Sequence, residues 1–317
     1  MSDARGELVT VVIPVFQNRE SLAQTLTDVV AAVVSADCRV EACFVDDGSS
    51  DGSWQELERL QGEHPDAVTL VRLSRNFGQV NALLAGYEAA RGDAVVTISA
   101  DLQDPASLIT EMITKWREGS DVVIAHRVER EDDASARIMS RMAYSVARRA
   151  NPAMPAGGFD FLLMSRRAVE LVLAFPSRHR FLQGDILWLG LPTSFLPYSR
   201  AKRPYGKSTW TFGRKLRYFT DLVLDSSFWP IQVMSRLGFF IALAGVLYAI
   251  VIVFARVFNQ TPWPGWAPIM VTLLFIGGLI MVMLGIIGEY LWRIYDDIKG
   301  RPRYIVERHL PSQERDL

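Results

Sequence analysis

The sequence predicts an α/β fold: a doubly wound, mostly parallel sheet of the Rossmann-like type, followed by an interfacial helix and a hairpin of two transmembrane helices. The first observation is that strand and helix patterns alternate along the first third of the 317-residue chain. This order is typical of a mostly parallel sheet with right-handed crossovers. The second observation is that two segments in the last third contain no charged residue, and each is long enough to cross a bilayer.

The elements of the sheet are predicted from hydrophobic periodicity. Apolar, β-branched runs predict strands, and apolar residues spaced three or four apart predict helices. The predicted strands are Val9–Phe16, Val40–Asp46, Val68–Leu73, Ala94–Ser99 and Val122–Ala125, and the predicted helices are Ser21–Ser35, one starting at Trp54, Gly78–Ala90 and one near Ala134–Ala150. Ligands bind such sheets at the carboxyl ends of the strands, and polar clusters follow the second, third and fourth strands.

The two charge-free segments, Leu237–Ala255 and Ala267–Gly288, predict transmembrane helices. Lys and Arg residues precede the first segment and follow the second, which favours cytosolic ends for the hairpin. The polar N-terminus runs straight into the first strand, a pattern that predicts no cleaved signal peptide. We therefore expect a multi-pass protein of the inner membrane, with its first domain and both termini in the cytosol.

The segment Phe212–Phe228 is apolar on one helical face and basic on the other, which predicts a helix lying in the membrane interface. The predicted organisation is a cytosolic domain at 1–211, the interfacial helix at 212–230, the transmembrane pair within 231–288 and a cytosolic tail at 289–317. The interfacial helix and the tail offer surfaces for a homo-oligomer.

Charge is distributed locally rather than overall. The formal net charge is −1, so bulk charge gives no argument for a nucleic-acid partner. The stretch Arg200–Arg217 is rich in Lys and Arg and has no acid. It suits anionic lipid head groups or a phosphate ligand, or it acts only as a topology signal. The two cysteines, Cys38 and Cys43, have no metal-binding spacing and are read as small apolar residues.

The sharpest chemical motif is SADLQDP, residues 99–105, at the end of the fourth predicted strand. Mg²⁺ and Mn²⁺ prefer oxygen ligands and are often held by one or two carboxylates together with substrate phosphates. Asp101 and Gln103 face the same way on an extended segment, so we predict them as the metal ligands. Asp104, directly before a proline, is predicted to open a turn and to cap the next helix.

The second motif is VDDGSSDG, residues 45–52, after the second strand. Short acids and glycines at this place can hydrogen-bond ribose hydroxyls and the edge of a base, but they also make ordinary turns. Asp46 and Asp47 are the candidates for nucleotide contacts. Asp51 and Ser53 are predicted only to cap the helix at Trp54.

These motifs, in order with IPVF, LSRNFG and the carboxyl-terminal GEYLWRIYDDIKGRPRYIV, resemble glycosyltransferase family 2 enzymes that load sugars onto polyprenyl phosphates. Bactoprenol glucosyltransferases and undecaprenyl-phosphate formamido-arabinose transferases are similar, and dolichol-phosphate mannose synthases more distantly so. The resemblance implies a GT-A fold, Mg²⁺ or Mn²⁺, a nucleotide-sugar donor (most simply a UDP-sugar), a polyprenyl phosphate acceptor and inversion at the anomeric carbon. The nucleotide-sugar contacts it implies are Pro14, Asp46, Asp47, Arg75, Asn76, Gly78 and Asp101.

The sequence departs from this family pattern in four places. Ser99 stands where most relatives have the first acid of a D-x-D motif, and Gln17 and Asn18 replace an Asn-Glu pair. Leu162, two residues after Asp160, stands where relatives carry an arginine, and Thr209 takes the place of a lysine. We expect the first departure to weaken the metal site without abolishing activity.

A polyprenyl phosphate is already mostly anionic near neutral pH, so it needs no strong general base and positioning supplies most of the catalysis. Cations near the membrane are then the predicted acceptor ligands. The candidates for lipid phosphate are Arg127, Arg137, Arg203, Lys207 and Ser208, and the candidates for direct participation in the reaction are Asp101, Arg127, Asp160 and Arg203.

Three other readings compete with a polyprenyl-phosphate transferase. A processive polysaccharide synthase should carry a Gln-x-x-Arg-Trp element and more membrane spans than this sequence has. A transferase with a hydroxyl acceptor would need a base, for which Asp185 is the candidate. A catalytically impaired membrane scaffold, suggested by Ser99, would bind nucleotide sugars without turnover.

Overall fold

A computed structural model describes residues 6–127, 153–155, 158–178, 180–199, 229–257 and 267–313. The chain divides into two compact units. The first unit contains Met1–Leu222 together with Pro302–Leu317, and the second is Val223–Arg301. The chain therefore returns to its first unit after the second.

In its described residues the first unit is an eight-stranded mixed sheet covered by helices. Its strands are β1 (Leu8–Val15), β2 (Arg39–Asp46), β3 (Val68–Leu73), β4 (Ala94–Thr97), β5 (Val122–Arg127), β6 (Phe161–Ser165), β7 (Thr193–Tyr198) and β8 (Val306–Leu310). Its helices are α1 (Leu22–Val34), α2 (Ser53–Glu63), α3 (Gln79–Ala89), α4 (Leu108–Arg117), α5 (Arg166–Ala174) and α6 (Leu182–Trp188), and a short 3₁₀ turn, Arg19–Ser21, precedes α1.

The strand order is β7-β5-β6-β4-β1-β2-β3-β8. The core β4-β1-β2-β3 is parallel, and β5 pairs with β7 in parallel. β6 is antiparallel to both β4 and β5, and β8 is antiparallel to β3. The predicted α/β class is confirmed, with the predicted strands and the predicted helices up to Ala90 in place, and the two antiparallel strands make the sheet mixed.

The central strands are buried on both faces, as expected where helices cover a parallel sheet. Val9, Val11 and Ile13 of β1 lie in a core formed with α1, α2 and α4. On the opposite face α3 lies close to the sheet because its Gly86 has no side chain. A Cβ atom at Gly86 would lie 2.3 Å from Cγ1 of Val12.

The segment after the second unit completes the sheet. β8 pairs with β3 as an edge strand, so part of the region predicted only as a tail belongs to the sheet of the first unit. Side chains hold it there: Nε2 of Gln61 donates to the Leu310 carbonyl at 2.9 Å, and the amide of Ser312 donates to Oγ1 of Thr69 at 3.0 Å. The Arg91 guanidinium also donates to the Ser312 hydroxyl.

A buried carboxylate, Glu41, lies beneath this junction and is 1% exposed. It accepts hydrogen bonds from Oγ1 of Thr10 at 2.6 Å and Oγ1 of Thr69 at 2.8 Å. The backbone amide and Nε of Arg91 donate to it at 3.1 and 3.0 Å. Burial opposes its ionisation, but these bonds together outweigh burial and lower the pKa of Glu41. The carboxylate thus joins β1, β2, β3 and the turn before β4.

The described residues of the second unit form two helices, α7 (Trp229–Val257) and α8 (Ala267–Ile298). The two predicted spans lie within them. In the described part of the chain one segment, Phe275–Ile298, is long and apolar enough to cross a membrane, and Arg236–Tyr248 is a shorter apolar stretch. The predicted helix near Ala134–Ala150 and residues 212–228 of the predicted interfacial helix lie outside the described residues.

We expect Glu41→Gln to lower the free energy of unfolding by about 2–4 kcal/mol, because Arg91 loses a buried ionic partner. Thermal unfolding in detergent measures this, with the exposed Glu63→Gln as a control that changes it little. Because the pKa of Glu41 is lower in the folded protein than in the unfolded chain, its contribution is present above the unfolded pKa and is lost as pH falls through the folded pKa. An equal loss in both variants would contradict this role.

Candidate active site

The loops that follow β1, β2, β3 and β4 meet at the carboxyl edge of the parallel core. The Asp46–Gly52 loop packs directly against the Ser74–Gly78 loop at Gly48. Gly48 has a φ of +71°, and a Cβ there would lie 2.6 Å from the backbone carbonyl carbon of Arg75. This position therefore requires glycine for two reasons, its backbone conformation and the close approach of the neighbouring loop.

Asp47 uses both carboxylate oxygens to hold the Ser74–Gly78 loop. Oδ1 accepts from the Phe77 amide at 2.7 Å, and Oδ2 accepts from the Gly78 amide at 2.9 Å. Burial raises the pKa of Asp47 to about 6 and the neighbouring Asp46 charge adds to the rise, while the two amide bonds oppose it. In this geometry Asp47 shapes the loop that carries three predicted nucleotide-sugar contacts, Arg75, Asn76 and Gly78.

Asp46 is fully buried, at 0% exposure. Its Oδ1 accepts from the Ser49 amide at 3.1 Å. Its Oδ2 has no hydrogen-bond partner among the described residues and faces Nε of Arg72 at 3.7 Å. Burial raises the pKa of Asp46. Pro14, the predicted contact on β1, pairs in register with Val45, one residue before Asp46.

The loop after β1 is fixed to the Asp46–Gly52 loop and to α2. The amide of Gln17, which has a φ of +56°, donates to Oγ of Ser49 at 3.0 Å. The amide of Asn18 donates to Oγ of Ser53 at 3.2 Å. Asp51 accepts from the Ser53 amide at 3.0 Å, next to the start of α2, which agrees with the structural role predicted for it. Gly52, rather than Ser53, is the N-cap residue.

Arg75 lies exposed at the rim of this edge. Its guanidinium carbon lies 4.2 Å from the centroid of the Phe77 ring, a cation–π arrangement that orients the charge. Gly78 has a φ of +94° and directly precedes α3. These residues present a cation and the amino end of a helix at the same edge of the sheet.

Asp101 lies beyond the end of β4 and is 6% exposed. Its Oδ1 accepts from the Gln103 amide at 3.2 Å, across Leu102 with a φ of +58°. The hydroxyl of Ser21 donates to the Ala100 carbonyl at 2.6 Å and so fixes this segment to the start of α1. Within the described residues no three His, Cys, Asp or Glu side chains cluster as a metal site. The donors present, one carboxylate and the nearby Gln103, fit a divalent ion that takes its other ligands from substrate phosphates.

Asp104 does not cap the next helix, so that part of its prediction is wrong. α4 begins at Leu108 with Ser107 as its N-cap residue. Asp104 is buried, and its Oδ1 accepts from the Tyr198 hydroxyl at 2.6 Å. The physical reason is that β7 brings Tyr198 to this edge, where a buried carboxylate gains more from a hydroxyl donor than from an exposed helix start.

A chain of polar contacts runs on from Tyr198. Nε of Arg127 donates to the Tyr198 hydroxyl at 3.3 Å, and Nη2 of Arg127 lies 3.8 Å from Oδ2 of Asp160. Nε2 of Gln183 donates to Oδ1 of Asp160 at 3.3 Å. The structure therefore brings the predicted residues Arg127 and Asp160 together. Tyr198 and Gln183 were missed by the sequence analysis. Tyr198 is shown to be a neighbour of Arg127 only by the β5–β7 register, which pairs the two residues. Gln183 is shown to be a neighbour of Asp160 only by their hydrogen bond in the folded chain.

Asp185, the candidate base for a hydroxyl acceptor, is paired with a cation. Its Oδ2 accepts from Nε of Arg180 at 2.6 Å. Burial raises the pKa of Asp185, and Arg180 opposes the rise. The remaining predicted acceptor ligands, Arg137, Arg203, Lys207 and Ser208, lie outside the described residues.

Comparison with known proteins gives consistent matches along the chain. The model of glycosyl transferase family 2 matches residues 10–172, and that of the GtrB C-terminal hairpin matches residues 229–294. The SfII prophage-derived bactoprenol glucosyl transferase of Shigella flexneri is 32% identical over 302 residues, covering 95% of this chain and 97% of that protein. An uncharacterised glycosyltransferase of Synechocystis is 34% identical over 300 residues, covering 94% of each.

Among solved structures, glucosyl-3-phosphoglycerate synthase from Mycobacterium tuberculosis is similar, with a TM-score of 0.50 and 19% identity over 70% of this chain and 80% of that one. At this identity the likeness concerns the fold alone. It agrees with the predicted GT-A architecture of the first unit.

We expect Gly48→Ala to destabilise the protein more than Gly52→Ala. Both glycines have positive φ, so each substitution carries a backbone cost of roughly 1–2 kcal/mol. A Cβ at Gly52 meets only the Arg19 side chain at 3.5 Å, whereas at Gly48 it meets backbone of the Ser74–Gly78 loop. Thermal unfolding in detergent should show a clearly larger fall in Tm for Gly48→Ala. Equal falls would mean that the two loops separate without cost.

Proposed function

The chain belongs to glycosyl transferase family 2 and is a glycosyltransferase, and we propose that it transfers a sugar from a nucleotide sugar to the phosphate of a polyprenyl lipid at the cytosolic face of the inner membrane. The product is a polyprenyl-phosphate-linked sugar for modification of cell-envelope glycans. The proposed acceptor is undecaprenyl phosphate, the proposed donor is a UDP-sugar, and the proposed stereochemical course is inversion.

One observation carries the choice of a phosphate acceptor. The two acids considered for the acceptor side, Asp160 and Asp185, are each paired with an arginine, Arg127 and Arg180 respectively. A hydroxyl acceptor needs a base with a free oxygen within reach of its proton, and here a guanidinium faces Oδ2 of each carboxylate, at 3.8 Å in Asp160 and 2.6 Å in Asp185. A phosphate monoester is already anionic near neutral pH. This acceptor therefore suits the residues present, and the names of the bactoprenol glucosyl transferase relatives agree with it.

The donor nucleotide is proposed to bind across the loops after β1, β2 and β3. Asp46 offers a buried carboxylate oxygen that accepts no hydrogen bond among the described residues, and an N–H on the edge of a base would satisfy it. Pro14 would border the base, and Arg75, Asn76 and Gly78 would meet the ribose and phosphates. Asp47 acts through the Ser74–Gly78 loop, whose amides it binds.

Mg²⁺ or Mn²⁺ is proposed to bind with the donor, with Asp101 and Gln103 as its protein ligands. Such an ion neutralises charge on the departing nucleotide diphosphate. Ser99 removes one acid from the usual pair, so Asp101 carries the carboxylate contribution alone. Asp101 is held in place by the Gln103 amide, and its near-complete burial keeps water from competing at this position.

Arg127 is proposed to orient the acceptor phosphate. Asp160 neutralises the guanidinium from one side and the Tyr198 hydroxyl fixes Nε from the other. The carboxylate of Asp160 thereby positions Arg127 and does not act as a base. Arg137, Arg203, Lys207 and Ser208 are proposed as further phosphate ligands. Positioning and charge neutralisation then supply most of the rate enhancement.

The membrane arrangement is part of the proposal. α7 and α8 are proposed to form a transmembrane hairpin, with the segment 212–230 in the interface and both termini in the cytosol. The match of residues 229–294 to the GtrB C-terminal hairpin supports this topology. Self-association through the interfacial helix and the tail is also proposed, and light scattering of the detergent complex measures it.

Tyr198→Phe tests the positioning of Arg127. Loss of the hydroxyl removes the contact to Arg127 and one donor to Asp104, so we expect kcat/KM for the lipid acceptor to fall about tenfold with KM for the nucleotide sugar unchanged. Tyr87→Phe is the matched control, since its buried hydroxyl bonds only Thr97 at 2.7 Å. A fall of the same size in both variants would assign the effect to stability alone.

Transfer of radiolabelled sugar into organic-extractable lipid tests the proposed function. The purified full chain in detergent is given undecaprenyl phosphate, Mg²⁺ or Mn²⁺, and a panel of UDP-, GDP- and dTDP-sugars. We expect label in the lipid phase that requires metal and falls at least ~100-fold in Asp101→Asn. Asp93→Asn is the control, because Asp93 lies at the opposite end of β4 and accepts from the Leu8 amide at 2.8 Å.

The other outcomes separate the competing readings. Transfer only to a hydroxyl acceptor, lost in Asp185→Asn, would replace the phosphate acceptor. Nucleotide-sugar binding without transfer to any acceptor would identify a scaffold. Retention of transfer in Asp101→Asn would contradict the proposed metal site.

A further inference from the structure

Arg180, directly before α6, is a buried cation that its neighbours satisfy only in part. Its side chain is 1% exposed, and Nε donates to Oδ2 of Asp185 at 2.6 Å. The guanidinium carbon lies 5.3 Å from the centroid of the Phe175 ring. Nη1 and Nη2 are both buried and have no hydrogen-bond partner in the part of the chain that the structure describes. Buried donors without acceptors are costly and therefore rare in folded proteins.

A second arginine reaches the same place from the other end of the chain. Arg303 belongs to the segment that returns to the first unit, and its guanidinium donates to the Phe175 carbonyl. Burial and the Arg180 charge both lower the pKa of Arg303. The two guanidinium groups therefore meet at Phe175, close enough for their charges to repel.

The acids nearby do not supply the acceptors that Arg180 lacks. Asp185 binds Nε of Arg180 and leaves both terminal nitrogens unpaired. Glu88, whose charge favours Arg303, is exposed and screened by water. Two guanidinium groups around one carboxylate, that of Asp185, which is 23% exposed, leave an excess of positive charge and of N–H donors. A phosphate group supplies both the negative charge and the hydrogen-bond acceptors that are missing. The guanidinium fork binds such a group with two parallel hydrogen bonds.

This cluster is linked to the carboxyl edge of the sheet. Burial raises the pKa of the Tyr87 hydroxyl, and the charges of both Arg180 and Asp160 reach that hydroxyl. Gln183, on the first turn of α6, donates to Asp160, which faces Arg127. α6 therefore links Arg180, through Asp185, and Asp160, through Gln183, so the cluster is connected to the residues proposed to bind the acceptor.

We propose that Arg180 and Arg303 form a phosphate-binding subsite, additional to the ligands assigned above, which takes a phosphate group of one of the substrates. This proposal rests on the proposed function, because that function supplies two phosphate sources, the lipid acceptor and the nucleotide diphosphate. Exposed apolar side chains beside the cluster favour the lipid. Trp188 is 74% exposed and packs edge-on against Phe175 at 5.5 Å, and Leu171 is 41% exposed, a surface that suits the first units of an isoprenoid chain.

Ligand-induced stabilisation of the full chain in detergent tests the subsite without requiring turnover. Thermal unfolding is followed with inorganic phosphate, inorganic pyrophosphate and farnesyl monophosphate as the probes. The variants are Arg180→Gln and Arg303→Gln, with Arg117→Gln as a control because Arg117 pairs with Glu7 at 2.7 Å on the last turn of α4. We expect a phosphate probe to raise the Tm of the unmodified chain and of the control, with apparent Kd at least tenfold weaker in both test variants.

The probes identify the source of the phosphate. A preference for farnesyl monophosphate over inorganic phosphate supports a lipid-borne phosphate, and a preference for pyrophosphate supports the subsite as one for the nucleotide diphosphate. Unchanged Kd values in both test variants, even with a lower Tm in the absence of ligand, would overturn the proposal and leave Arg180 a structural residue. If Arg180→Gln does not fold, Arg180→Lys takes its place, since lysine keeps the charge and loses the fork.

The transfer assay separates this proposal from the proposed function. Probe binding that depends on Arg180, in a chain that transfers no sugar, would reject the transferase reaction and retain the subsite. Sugar transfer with unchanged KM values for donor and acceptor in both test variants would reject the subsite and retain the reaction.

Discussion

The buried carboxylate of Glu41 is the interaction on which the architecture of the first unit depends. It accepts hydrogen bonds from β1, from β3 and from the turn before β4 while lying on β2 itself. A carboxylate with several donors at one end of four neighbouring strands fixes their relative register and rejects slipped pairings. The same cluster contacts Ser312, through Arg91 and Thr69, so the end of the chain is held where the sheet itself is organised. The same polar cluster therefore stabilises both the parallel core and the pairing of the C-terminal segment with it.

The return of the chain to the first unit also affects the carboxyl edge of the parallel strands. The segment that follows α8 runs past the Ser74–Gly78 loop before it forms β8, and the Ser74 amide donates to the Ile305 carbonyl at 3.0 Å. Asp47 holds the other end of that loop through Phe77 and Gly78. The loop proposed to bind the donor is therefore fixed on one side by the β2 loop and on the other by the chain leaving the second unit. Covalent connectivity alone would not require this, because a tail after a helical hairpin is free to stay unpaired.

Sequence periodicity predicted the strands from Val9 to Ala125 and the helices between Ser21 and Ala90 closely, because each of those elements is decided by local apolar patterning. Asp101 was placed correctly beyond a strand end for the same reason. β8 was not predicted, since the sequence VERHL has no apolar alternation and forms a strand only by pairing with an existing edge. Asp104 was misassigned because its partner Tyr198 is distant in the chain and joins it only through the order of β5, β6 and β7. Non-local pairing of this kind leaves no local pattern to detect.

The arrangement of acids and arginines gives the most specific argument about chemistry. A carboxylate that acts as a general base must bring a free oxygen within hydrogen-bond reach of the proton it takes. Here Asp160 faces Arg127 and Asp185 binds Arg180, so the acids serve to hold arginines in place. An edge built in this way presents orientated positive charge rather than a proton acceptor. Such an edge is poorly suited to activating an alcohol and well suited to an acceptor that arrives already ionised, because the remaining task is to bring two anionic substrates together and to neutralise their repulsion.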